Sequence, residues 1–124
     1  VGSIWNGDAY LAREENPNLE FVYPKEGAMI WIDSFAIPVK AEHPENAQMF
    51  INFMLRPENS AAVVKEFRYS PVEEAALKLL PEDMQKSRII APTEEDLKNS
   101  EVTMELGTAL QMYEKLWEKF KTEQ

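Results

Sequence analysis

The sequence predicts an α/β fold with too few strands to complete a sheet, and three observations carry that reading. Short apolar runs at residues 1–5, 19–23 and 28–32 have strand length and are bounded by turn residues. Residues 44–55 and 102–121 instead repeat apolar side chains at helical spacing. The order is therefore strand-helix-strand-strand, followed mostly by helices. The first five residues, Val1-Gly2-Ser3-Ile4-Trp5, read as mid-protein strand, so the expectation is a fragment of a larger fold.

Taken in order, residues 1–5 make a plausible buried strand, and Asn6-Gly7-Asp8 supplies turn and N-cap chemistry for a helix over about 8–15. Ala9, Leu11 and Ala12 form its apolar side, and Asn16-Pro17-Asn18 ends it. Residues 19–23 form a second strand with Leu19, Phe21 and Tyr23 on one face. Pro24-Lys25-Glu26-Gly27 turns into the next strand, and 35–39 is extended until Pro38 breaks it. Pro44 opens a helix to about Leu55, with Ala47, Phe50, Ile51, Met54 and Leu55 as one apolar stripe. Arg56-Pro57 separates it from a helix over about 58–67 buried through Ala61, Val64 and Phe67. Arg68-Tyr69-Ser70-Pro71 is a compact loop, 72–80 is helical, Pro81 starts a further turn, and 88–92 is short and extended. Thr93 is placed to N-cap a helix whose first turn, Glu94-Glu95-Asp96, suits the helix dipole. The last helix spans about 102–121, with Leu106, Leu110, Tyr113, Leu116, Trp117 and Phe120 on a stripe that reads as core.

Composition narrows the function classes. At 124 residues the chain is one ordinary domain or a piece of something larger, and 44% hydrophobic content suffices for a core. Acidic residues outnumber basic ones 22 to 13, for a net charge of −9. That argues against nucleic acid and anionic membrane surfaces as partners, while solubility alone also explains it. There is no cysteine, so disulfides and thiolate metal sites are excluded, and no apolar run reaches the ~18 residues of a membrane span. The four glycines are far apart and build no phosphate loop.

The sharpest local feature is Trp31-Ile32-Asp33. Strand alternation places Met29, Trp31 and Asp33 on one face and Ala28, Ile30 and Ile32 on the other. An indole beside a carboxylate attracts an organic cation; equally, an edge-strand Trp can cover core while Asp33 caps the next element. Trp5 reads as a ligand wall or a rim Trp packed under a helix. Tyr69, in its loop, reads as a ligand contact or a plug at the end of a core. His43, the one histidine, stands before a Pro-started helix and reads as an exposed flank. No Ser-His-Asp set, paired metal histidines or EF-hand spacing is legible, so no catalytic residue, metal or cofactor is assigned.

Several motifs in order carry a resemblance: Ile4-Trp5-Asn6-Gly7, Tyr23-Pro24-Lys25-Glu26-Gly27, 31–38 (WIDSFAIP) and 50–57 (FINFMLRP), with Tyr113-Glu114-Lys115-Leu116-Trp117 less specific. They resemble the C-terminal portion of the spermidine/putrescine-binding proteins of bacterial ABC transporters. The resemblance implies an incomplete part of the two-lobed type II periplasmic solute-binding fold, with ligand in the interlobe cleft. It places residues 1–31 in the second lobe and 32–76 in the first, with 77–124 returning to the second and a hinge crossing near 31–34. It implies that Trp5 and Trp31 flank the polyamine's methylenes, that Asp33 grips an amine, and that Tyr69 is a cleft tyrosine. Spermidine-preferring members carry a glutamine where this chain has Thr103, so that contact is missing or replaced. The implied protein is a non-enzymatic carrier, periplasmic or extracellular and lipid-anchored, that serves a membrane permease. Two rivals stand beside it: a same-fold carrier of another cationic or small solute, and a carboxylate-dependent hydrolase needing two acids in one cleft. Sheet edges and helix stripes without cover further lead to the expectation of either self-association of the chain or a structure in which only part of the fold is retained.

Overall fold

The computed structural model describes residues 1–102 and 105–122. The chain runs as helix α1 (Asn6–Glu15), strand β1 (Met29–Ile30), helices α2 (Pro44–Met54), α3 (Pro57–Phe67), α4 (Glu74–Leu77), α5 (Glu82–Lys86) and α6 (Glu94–Leu97), then strand β2 (Glu101–Val102). A single 3-10 turn at Gly107–Ala109 leads into α7 (Leu110–Thr122). Helices dominate, and among the described residues the sheet is one parallel pair, with Met29 opposite Glu101 and Ile30 opposite Val102.

The two Pro-started helices form where the sequence places them, because proline at the first helical position removes a donor that has no intrahelical partner. α3 buries Ala61 and Val64, while Phe67 stays exposed. Those two residues meet Ala76, Leu80, Met84 and Ile90 in one apolar cluster, with Tyr10 and Leu77 packed on its side. The cluster draws on α1, α3, α4, α5 and the turn after α5. Residues 88–92 are therefore turn rather than extended, so that Ile89 and Ile90 can both enter the interior.

The turn before β1 is welded to the chain before β2. Gly27 has φ 109°, and a Cβ there would lie 1.9 Å from the Asn99 carbonyl oxygen, so only glycine permits this approach. Asn99 Nδ2 donates to the Lys25 carbonyl at 2.8 Å, and the Ala28 N–H donates to Ser100 Oγ at 3.1 Å. Just upstream, α6 begins with a full capping box in which Thr93 and Asp96 exchange side-chain and backbone bonds.

Several expected elements differ. Residues 1–5 and 19–23 form no strand, since a strand exists only where a neighbour supplies hydrogen-bond partners. Phe21 and Tyr23 nonetheless turn inward while Val22 faces out, and the two rings meet edge to face at 5.0 Å. Residues 35–39 likewise join no strand, although Phe35 sets its ring edge against Phe50 of α2. The helix expected over 102–121 starts only at Leu110, because Val102 pairs in β2 and Gly107 takes φ 49°. Its apolar stripe is not core: Leu110, Tyr113, Leu116, Trp117 and Phe120 are all exposed, and Trp117 stacks on Phe120 at 5.7 Å.

Candidate functional site

β1 delivers the chain into an exposed stretch where Trp31 and Asp33 lie on the same side. The Trp31 indole Nε1 donates to Asp33 Oδ1 at 2.9 Å. Trp31 is 59% exposed and covers no core, and Asp33 begins no helix. An in-plane N–H bond occupies the ring edge and leaves the π face uncommitted. The second Asp33 oxygen keeps its lone pairs for another donor.

Tyr69 is brought to the same region by the loop after α3. Arg68, with φ 63°, ends α3 in the left-handed conformation and reverses the chain. The Tyr69 hydroxyl donates to Asp8 Oδ1 at 3.2 Å. Burial, the bond to Asp8, and the charges of Asp8 and then Asp33 all push the Tyr69 phenol up from its ordinary pKa. Tyr69 with Asp8 and Trp31 with Asp33 are thus two hydrogen-bonded pairs of an aromatic ring and an acid, and the Asp33 charge acts on the Tyr69 phenol.

The α1 turn is the seat of this loop. The sequence suggests Asn6-Gly7-Asp8 as turn and N-cap, but the helix already includes Asn6, and Trp5 is its N-cap residue without a side-chain cap bond. The reason is tertiary: Asn6 Nδ2 donates to Ser70 Oγ at 3.3 Å and to the Ile89 carbonyl at 3.0 Å. Gly7 is buried against the Tyr69 ring. Further along α1, Glu14 pairs with Arg68 at 3.3 Å. Trp5, half exposed, therefore stands two residues from the contact between Gly7 and Tyr69.

Trp5, Trp31, Asp33 and Tyr69 thus all lie on exposed surface beside the start of α1 or the end of β1. Thr103 lies outside the described residues. Asp8 partners Tyr69 without a sequence signal of its own, since an acid in a first helical turn ordinarily serves the helix dipole. His43 is an exposed residue before α2, as expected of a flank. The arrangement is an open wall: two hollows of about 400 and 320 Å³ lie elsewhere, one beside Tyr10 and Asp83, the other beside Tyr23 and Asp96. Among the described residues no cluster of histidines and acids could hold a metal, and no helix is long and apolar enough to cross a membrane.

Comparison with known proteins places this wall in context. Residues 1–92 match the family described as bacterial extracellular solute-binding protein. The spermidine/putrescine-binding periplasmic protein of Escherichia coli is 38% identical over 121 residues, 98% of this chain and 35% of that protein. Spermidine/putrescine-binding periplasmic protein 1 of Haemophilus influenzae is 35% identical over 98% of this chain and 34% of its own length. A solved structure from Listeria monocytogenes, described as a spermidine/putrescine ABC transporter, superposes with a TM-score of 0.81 at 33% identity. That match covers 96% of this chain and 37% of the other. The chain therefore spans about a third of the length of the relatives it matches.

Proposed function

The chain belongs to the bacterial extracellular solute-binding proteins, and from that premise we propose that it forms one wall of a polyamine-binding cleft in the carrier of an ABC transporter. The observation that carries this is the exposed Trp31 whose ring edge is held by Asp33. A polyamine is a methylene chain studded with ammonium groups. Aromatic faces cover the methylenes and attract the cations, each contact contributing about 0.5–2 kcal/mol according to desolvation. Asp33 then receives one ammonium through a charge-assisted hydrogen bond. Tyr69 and Trp5 extend the wall; Thr103 enters only as the weak ligand contact that the family resemblance implies. The names of these three relatives, all spermidine/putrescine proteins, support the same ligand class.

In this reading residues 1–31 belong to the second lobe, 32–76 to the first and 77–124 to the second again, so the stretch 31–34 is both ligand wall and hinge. The carrier is not an enzyme. It works outside the cytoplasm, in the periplasm or lipid-anchored at the cell surface, and hands its ligand to a membrane permease that distinguishes closed lobes from open ones. The 124 residues alone supply only part of the site, so their own polyamine affinity is weak.

Isothermal titration of the product of the complete open reading frame with putrescine and spermidine tests this. Micromolar or tighter binding is expected, and Asp33→Asn weakens it more than tenfold. Binding of no polyamine would sink the reading, and a wild-type affinity in Asp33→Asn would remove that carboxylate from the site. A preference for an amino acid or an inorganic cation would reassign the ligand within the same fold.

A further inference from the structure

We propose that Asp8 is a specificity-determining positioning residue, which accepts the one hydrogen bond the Tyr69 hydroxyl can donate and so presents that hydroxyl to the ligand as an acceptor only. The inference rests on the polyamine reading for the ligand's class, but its geometry stands without it. A tyrosine hydroxyl has one proton to give and lone pairs to receive, whereas an ionised carboxylate only accepts. The bond from Tyr69 to Asp8 Oδ1 therefore has one direction.

The setting holds the hydroxyl there. Gly7 admits the Tyr69 ring to within contact of the α1 backbone, and the flanking residues Arg68 and Ser70 are tied to Glu14 and Asn6 of the same helix. The charged groups acting on the phenol are Asp8 and Asp33, both acids, while the neighbouring Arg68 guanidinium is engaged with Glu14. An ammonium, which only donates, meets matching lone pairs at this position. A carboxylate or carbonyl solute meets no donor and two negative charges. Discrimination here comes from leaving the wrong ligand without a partner.

A double-mutant cycle on the complete open-reading-frame product tests the coupling, with putrescine and spermidine as probes in isothermal titration. Losing one oriented hydrogen bond costs about 0.5–1.5 kcal/mol, so Asp8→Ala weakens binding by about two- to thirteenfold. In a Tyr69→Phe background the same change has less than about a twofold effect. An equal loss in both backgrounds would overturn the proposal, because Asp8 would then act on the ligand through its charge alone. Phenol absorbance against pH, with Tyr69→Phe subtracted, gives a second readout that needs no ligand. Asp8→Ala brings the Tyr69 titration down toward its ordinary value; an unmoved titration overturns the proposal. If wild-type protein binds no polyamine the ligand assignment falls, and the phenol titration still decides the role of Asp8.

Discussion

At Gly7 the first turn of α1 touches the Tyr69 ring through the absence of a side chain. A Cβ there would lie 2.8 Å from two carbons of the Tyr69 ring and 2.9 Å from the Phe67 carbonyl oxygen. The ring can swing away; the carbonyl, at the end of α3, is backbone and cannot move without moving the helix. Gly7→Ala therefore forces the 67–70 loop off α1, breaking the contact that places Tyr69. Overpacking of this kind costs about 1–3 kcal/mol, so the melting temperature falls and polyamine affinity falls with it. Unchanged melting would show that the loop has slack. The gain in helix propensity from glycine to alanine, about 1 kcal/mol, opposes the clash without outweighing a backbone overlap. Trp31 and Asp33 do meet side by side, although the strand whose alternation predicts a shared face ends at Ile30. The roles of Gly7 and Asp8 are not legible from sequence, because both depend on a loop about sixty residues away.

At the scale of single elements, legibility follows how local the cause is. The helices at Pro44 and Pro57 and the cap at Thr93 arise from neighbours within a turn, and they form as the residues suggest. The runs at 1–5 and 19–23 have strand chemistry but take no strand pairing, which is a long-range cause. The Thr93 cap also leads to an acid-stability prediction. The Asp96 side chain is 2% exposed and accepts from the Thr93 N–H at 2.8 Å, from Thr93 Oγ1 at 2.7 Å and from the Arg88 guanidinium. The Arg88 bonds first, then those from Thr93, hold its carboxyl far below the usual carboxylate range. A depressed folded-state pKa contributes stability above the unfolded value of about 3.9 and loses it as pH falls from there toward the folded value. Asp96→Asn should therefore melt below wild type at neutral pH, and the gap should narrow as pH drops below about 4. A gap independent of pH would mean that packing, not ionisation, sets the contribution.

Across the whole molecule the decisive quantity is surface. The chain exposes 10556 Å² at 14.3 kDa, against about 6,800 Å² for a folded monomer of that mass. Part of that exposure is apolar: Trp117 is 58% exposed and Phe120 57%, on a helix whose stripe the sequence marks as core, with Phe50, Phe53 and Met29 uncovered elsewhere. Sequence periodicity reports that such a face wants cover; it cannot report whether the cover lies within these residues. The relatives are about three times as long. Alone in water, the 124-residue polypeptide has two ways to reduce this exposure. It can pair exposed stripes and the short parallel sheet's edges between copies, or it can leave the weakly packed parts unfolded around the cluster of Ala61, Val64, Ala76, Leu80, Met84 and Ile90. Self-association is the stronger expectation for α7, whose stacked Trp117 and Phe120 form a ready-made apolar ridge. Light scattering should report dimers or larger species whose proportion rises with concentration, and Trp117→Glu should shift them toward monomer. A monodisperse monomer that melts in one cooperative step would show that this surface is tolerated uncovered.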